Sequence, residues 1–161
     1  LTREIPGHWE GDLVLGKNRE SAIGTLVERT TRFLIIVPLK KRDSTTVRKA
    51  FEKEFRKLPD NLKLSLTYDN GTEMAQHKTF TKNSKVKVYF AHPYSPWERP
   101  TNENTNGLIR DYFPKGTDFN LVSKKQLKEV QNQLNERPRK TLEYESPLNT
   151  ISRLYMNQNF I

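Results

Sequence analysis

Five consecutive apolar residues, Phe33-Leu34-Ile35-Ile36-Val37, constrain the fold of this chain more than any other feature. A strand with one solvated face alternates apolar and polar side chains, whereas a strand without alternation needs cover on both faces. The run is largely aliphatic and β-branched, follows the breaker Arg29-Thr30-Thr31 and ends at Pro38, so it reads as a strand over residues 32–38. Such a strand belongs in the middle of a sheet flanked by helices.

Two more strands precede it, at residues 9–15 and 22–28, separated by Gly16-Lys17-Asn18, and a three-stranded antiparallel meander is the economical reading. Asp43-Ser44 supplies an N-cap, and Val47, Ala50, Phe51, Phe55 and Leu58 trace one face of a helix that Pro59 ends. Strands at 64–68 and 86–90 enclose a helix at 72–81, an alternation that argues for parallel pairing. Pro100 suits the first turn of a helix whose Leu108, Ile109, Tyr112 and Phe113 fall at helical spacing, and helices at 123–136 and 147–156 follow. The expected architecture is α/β, a mixed five-stranded sheet with helices on both faces. At 161 residues without an internal repeat, residues 1–161 are expected to form one domain. The chain opens on Leu1 rather than methionine, which reads as a piece of a longer polypeptide.

Charge narrows the partners. Lys and Arg number 28 against 19 Asp and Glu, a formal +9, with a pI near 9.8. That balance fits a polyanion such as nucleic acid, although a merely soluble basic protein has the same total. The absence of cysteine excludes disulfides and thiolate zinc sites, and three histidines make a histidine-built metal site improbable, so a bound metal would have oxygen ligands. No apolar run approaches the roughly 18 residues of a membrane span and no signal-peptide pattern is present, so a cytoplasmic location is expected.

Three acids occupy unusual settings. Asp12 lies in the apolar stretch Asp12-Leu13-Val14-Leu15, where a charge is costly unless it sits on the solvated face of an edge strand. Asp69, in Thr67-Tyr68-Asp69-Asn70-Gly71, suits a tight turn, and it also stands at the C-terminal end of a strand, where open α/β sheets place ligand chemistry. Glu103 in a first helical turn is explained by the macrodipole alone. Its surroundings are not: Asn102, Asn104 and Asn106 are weak helix formers, and Gly107 costs about 1 kcal/mol relative to alanine. Asn106, Gly107 and Arg110 share the face of Glu103, a polar stripe with a gap for close approach that reads as a substrate surface. Were the three carboxylates to meet at about 5 Å, each pair would repel by roughly 3 kcal/mol. Divalent Mg2+ or Mn2+ is the natural counter-charge, and two such ions can drive displacement at a phosphodiester.

The segments Gly7-His8-Trp9-Glu10-Gly11-Asp12, Tyr68-Asp69-Asn70-Gly71-Thr72-Glu73 and His92-Pro93-Tyr94-Ser95-Pro96-Trp97-Glu98-Arg99, the last running into Asn102-Glu103-Asn104-Thr105-Asn106-Gly107, resemble the catalytic core of DDE transposases of the insertion-sequence-thirty type, relatives of retroviral integrase. The 33 residues between Asp69 and Glu103 fit that group, as do Tyr112-Phe113-Pro114-Lys115-Gly116 and Glu136-Arg137-Pro138-Arg139-Lys140. The resemblance implies a ribonuclease-H-like fold in which Asp12, Asp69 and Glu103 are catalytic and hold two Mg2+ (or Mn2+) ions when DNA is bound, Asp12 bridging both. It implies metal-dependent DNA strand cleavage at transposon ends and strand transfer into target DNA, within a homo-oligomer, in a bacterial cytoplasm at the nucleoid. Relatives carry an upstream helix-turn-helix region that this sequence lacks. Two positions depart from the pattern: Pro100 and Glu143 stand where glycine is usual. The rival readings are a degenerate module that binds nucleic acid without cutting it and a hydrolytic nuclease of the same fold.

Candidate DNA contacts are Asn102, Asn106, Arg110 and Lys115, together with Tyr94 and Trp97, which suit either stacking on an unpaired base or packing under a proline-rich loop. Arg137, Arg139 and Lys140 suit either phosphate contacts or capping of the helix ending at Glu136, with phosphate preferred. Lys78, Lys82, Lys85 and Lys87 form either a DNA track or an ordinary solvated surface.

Overall fold

Alternating and uninterrupted apolar patterns resolve into five strands and five helices in the computed structural model, which describes residues 5–69, 74–91 and 100–159. In chain order these are β1 (His8–Leu15), β2 (Ala22–Glu28), β3 (Leu34–Pro38), α1 (Ser44–Arg56), β4 (Ser65–Tyr68), α2 (His77–Ser84), β5 (Lys87–Phe90), α3 (Pro100–Tyr112), α4 (Lys124–Glu136) and α5 (Pro147–Asn159). They form one sheet in the order β3-β2-β1-β4-β5. The β1–β2 and β2–β3 pairs are antiparallel, and the β1–β4 and β4–β5 pairs are parallel. Among the described residues no helix is long and apolar enough to cross a membrane.

Each face of the sheet has its own core. On one, Trp9, Leu26, Val37, Leu66 and Tyr68 pack against Val47, Phe51 and Phe55 of α1 and Phe80 of α2. On the other, Val14, Ile23, Val27, Leu34 and Ile36 pack against Ile109 of α3, Phe113 just beyond it, and Leu127, Val130 and Leu134 of α4. Gly24 lets α1 approach closely, since a Cβ there would lie 2.6 Å from Phe51 Cε1. Helix boundaries follow the capping signals. Asp43 accepts from the Thr46 N–H at 2.9 Å, and Ser123 and Gln126 make a reciprocal capping box at the start of α4.

Two expectations need correction. The apolar strand β3 is covered on both faces but lies at the sheet's edge, with β1 at its centre. Its unpaired edge is closed by side-chain amides of α4. Gln131 Oε1 accepts from the Ile36 N–H at 2.9 Å, while Asn135 accepts from the Leu34 N–H at 2.8 Å and donates to the Leu34 carbonyl at 2.9 Å. Residues 131 and 135, one helical turn apart, thus stand in for a sixth strand and remove the hazard of an open edge. The second correction concerns α2, which begins at His77 rather than at 72 and extends to Ser84; positions 72 and 73 lie outside the described residues.

Candidate active site

Because β1 is the central strand, Asp12 is not an edge residue, and the bland explanation for its charge fails. The parallel pairing of β1 with β4 sets His8 opposite Ser65, Trp9 opposite Leu66 and Glu10 opposite Thr67. The same stagger carried two residues further sets Asp12 opposite Asp69, immediately beyond the end of β4. Neighbouring strands lie about 4.8 Å apart, so the backbones that bear these two acids are adjacent.

Asp12 is half-buried and held at both oxygens. Its Oδ1 accepts from the Leu13 N–H at 2.9 Å, and its Oδ2 accepts from Asn106 Nδ2 at 3.0 Å. Asn106 lies one turn beyond Glu103 on α3, so this bond ties the helix of the third acid to the strand of the first. Thr25, opposite Asp12 on β2, closes the group, its hydroxyl 3.4 Å from the Asp12 carbonyl oxygen. Further along α3, Arg110 donates to the Leu15 carbonyl at 2.8 Å and, less closely, to that of Phe113. At the other end of the helix, Arg32 donates to the Thr101 hydroxyl. Three polar anchors along one helix fix how α3 lies over β1 and β2.

Glu103 is exposed on the first turn of α3. Among the described residues no three His, Asp or Glu side chains are gathered closely enough to hold a metal ion. Asp12 therefore stands on the central strand, Asp69 just past the end of the neighbouring one and Glu103 on a helix bonded to Asp12, without a closed cage among the described residues. The donors are all hard oxygens, the set that suits Mg2+ or Mn2+ rather than a softer metal. Nothing packs against Gly107: a Cβ built there meets no atom within 4 Å, so the fold does not require glycine at that exposed position.

The expected DNA contacts divide. Lys115 and Lys140 are exposed, and so is Arg137, which donates to the Tyr112 hydroxyl at 2.8 Å. Arg139 is buried, and its Nη2 donates to the Leu134 carbonyl at 2.9 Å, which is the capping role rather than a phosphate contact. Burial lowers its pKa from the ordinary arginine value, with Arg137 and Arg32 nearby adding to the effect. Arg110, turned onto backbone carbonyls, is likewise structural. Tyr94, Trp97 and the Asn102 side chain lie outside the described residues.

Sequence reasoning passed over one acid and saw only part of one surface, Lys85 and Lys87 of its lysine track. Glu28 is fully buried at the end of β2, where its carboxylate accepts from the backbone N–H groups of Gly7, Thr30 and Thr31. Desolvation nonetheless pushes its pKa above the ordinary glutamate value. The surface is polar, made by His8 and Glu10 on β1, Ser65 and Thr67 on β4, and Lys87 and Tyr89 on β5. The signal was the alternation of polar residues in all three strands, the mark of a face without a helix over it.

A mixed sheet ordered in this way, with helices on both faces, defines a ribonuclease-H-like fold. Residues 3–96 match the family model described as the integrase core domain, and the chain belongs to that family. It is 52% identical over 151 residues to the transposase InsI of insertion sequence element IS30A from Escherichia coli (strain K12), aligning 94% of the chain with 39% of that protein. It is 44% identical over 155 residues to the transposase of element IS1086 from Cupriavidus metallidurans, covering 96% of the chain and 46% of that protein. The chain thus spans less than half the length of these curated relatives. The crystallised catalytic core domain of BIV integrase superposes with a TM-score of 0.71 at 15% identity, covering 94% of this chain and 97% of that one. A chain of the simian T-cell lymphotropic virus intasome, in complex with a PP2A regulatory subunit, gives 0.71 at 17% identity over 92% of this chain and 55% of its own. These two likenesses concern the fold.

Proposed function

We propose that this chain is the catalytic core of a transposase, a polynucleotidyl transferase that cleaves DNA at transposon ends and joins the freed 3′ ends to target DNA, with Asp12, Asp69 and Glu103 as catalytic residues. The observation that carries this reading is the parallel stagger of β1 against β4, which, continued two residues beyond Glu10 and Thr67, supports a pairing of Asp12 with Asp69 just past the end of β4. Transposase relatives aligned over almost the whole chain support it, and so does the tie between α3 and Asp12 through Asn106.

In this reading Asp12, Asp69 and Glu103 hold Mg2+ or Mn2+, the third acid closing on the other two when DNA is present. Two such ions, when bound, activate an attacking oxygen and stabilise a leaving one at a phosphodiester. Asn106 and the Leu13 N–H orient the Asp12 carboxylate, each taking one oxygen and leaving the remaining lone pairs for ligands. The packed sheet beneath keeps both aspartates on rigid strands, which is what precise positioning of a reacting phosphate demands. Lys115, Arg137 and Lys140, exposed cations, contact DNA phosphates. The active form is a homo-oligomer that brings transposon ends and target together, and its setting is the bacterial cytoplasm, at the nucleoid.

The test is a strand-cleavage and joining assay on labelled transposon-end DNA with Mn2+, comparing the chain with Asp69→Asn. Nicked and joined products from the parent, both absent from the variant, are the expected result. Nicking without joining would make the chain a hydrolytic nuclease. Binding without chemistry, unaltered in Asp69→Asn, would make it a binding module.

A further inference from the structure

The helices cover the second face of the sheet unevenly. Among the described residues α3 and α4 lie over β2, β3 and the later part of β1, as the core on that side shows, and no helix packs on the start of β1 or on β4 and β5 there. What remains is an open groove of about 850 Å³ whose lining includes His8, Arg29, Lys63, Ser65, Lys85 and Lys87. Exposed Tyr89 and Leu64 lie along it.

The groove is positive. Arg29 pairs at 3.3 Å with Glu10, which is buried beneath it, so a cation is pinned to the sheet face. Lys63, largely buried, donates to the Phe55 carbonyl at 3.4 Å and lies 3.4 Å from Asp60, so its charge is already engaged at the end of the groove. Neither Lys85 nor Lys87 pairs with a carboxylate among the described residues. On the floor, His8 Nδ1 and the Ser65 hydroxyl are hydrogen-bonded at 2.7 Å.

Position gives this charge its meaning. Ser65 and Thr67 on β4 pair with His8 and Glu10 and alternate with core residues, so the groove shares the sheet face of Asp12, and Asp69 follows directly after β4. From Ser65 to Asp69 the strand advances about 13 Å, close to the length of four base steps of duplex DNA at roughly 3.4 Å each. We propose that this groove binds the sugar-phosphate backbone of the DNA strand that enters the acid pair, about four nucleotides from the reacting phosphate. The proposal rests on the transposase reading for the identity of the polyanion. It adds a site on the sheet itself, separate from the helix-borne stripe of Glu103, Asn106 and Gly107.

The double variant Lys85→Gln/Lys87→Gln tests it, with binding of a fluorescein-labelled duplex followed by anisotropy across a salt series. Thermal unfolding of the same samples establishes that the variant is folded. The slope of log Kd against log salt should fall by about two, one per lost phosphate contact, with affinity at low salt about tenfold weaker. Lys49→Gln/Lys53→Gln, the same change of charge on exposed α1 positions of the opposite layer, should leave the slope as it was. An unchanged slope in the groove variant, an equal loss in the α1 variant, or a parent that does not bind duplex DNA would each overturn the proposal. Asp69→Asn keeps its charge-dependent binding in this assay while losing chemistry. Failure of the groove therefore reads out as an unaltered salt slope, and failure of the transposase reading as chemistry that survives Asp69→Asn.

Discussion

Gly107→Ala should make the protein more stable and less active. The residue sits inside α3, is exposed, and has open space where a Cβ would project, so the added methyl group meets no clash and gains no burial. What remains is helix propensity, about 0.8–1.0 kcal/mol in favour of alanine in a helix interior. For a domain of this size that corresponds to a rise in Tm of about 2–4 °C. A stabilising substitution this simple, next to Asn106 and one turn from Glu103, implies that the gap serves something outside the fold. If DNA passes over this stripe, the methyl group holds its backbone off the acids by about the 1 Å that can cost a hundredfold in rate, and strand joining should fall by at least about tenfold. Calorimetry and the joining assay on one preparation read both effects. A lower Tm would refute the structural premise, and a higher Tm with unaltered joining would refute the claim that the stripe faces substrate.

Three further outcomes follow from the packing. Asn135→Leu strips a donor and an acceptor from the buried edge of β3 and should cost about 2–5 kcal/mol in urea unfolding, whereas Gln131→Leu, which orphans one N–H, should cost about 1–3 kcal/mol; equal and negligible losses would show that the amides do not close that edge. Glu143 adopts φ 54° and ψ 40°, so Glu143→Gly should stabilise the turn by about 1 kcal/mol and Glu143→Ala should not, as thermal unfolding of the pair will show. Burial raises the Glu28 pKa in the folded state above its unfolded value, so the folded protein binds this proton more tightly. The associated stability is complete below the ordinary glutamate range and is lost as pH rises from there through the raised folded value. Glu28→Gln should abolish that component, and parallel stability curves for parent and variant across this window would contradict it.

Much of this was legible because local pattern and tertiary role agreed. The boundaries of β2 matched their apolar run, and α1 and α4 began at the caps that Asp43 and Ser123 announce. Three acids in odd settings pointed to the proposed site. The position of β3 was not legible, because cover on both faces says nothing about what lies beside a strand; the closing groups, Gln131 and Asn135, are common on any polar helix face. Nor could sequence separate cations facing solvent from cations used within the fold. Arg137, Arg139 and Arg110 look alike on the page, yet one is exposed beside Tyr112, one is buried under Leu134 and one is bonded to Leu15. That distinction depends on which carbonyls lie within reach, a property of the assembled chain. The usual glycine at the place of Glu143 did carry a backbone signal, since a left-handed residue is found there.

The arrangement around Asp12 explains why a charge is tolerated at the centre of a sheet. If Asp12 and Asp69 met at about 5 Å they would repel by roughly 3 kcal/mol, and Asp12, half-buried on the central strand, is only partly screened by solvent. The hydrogen bonds from Leu13 and Asn106, each donor to a charged group contributing about 1.5–3 kcal/mol, are together large enough to offset a repulsion of that size at Asp12. They also fix the carboxylate's direction. Asn106 on α3 is therefore a positioning residue: it stabilises the acid and ties it to the helix that carries Glu103. Replacing Asn106 with leucine would leave one Asp12 oxygen without its donor and cut the tie to α3, a loss of about 1.5–3 kcal/mol that urea unfolding would read, and an unaltered stability would contradict the positioning role.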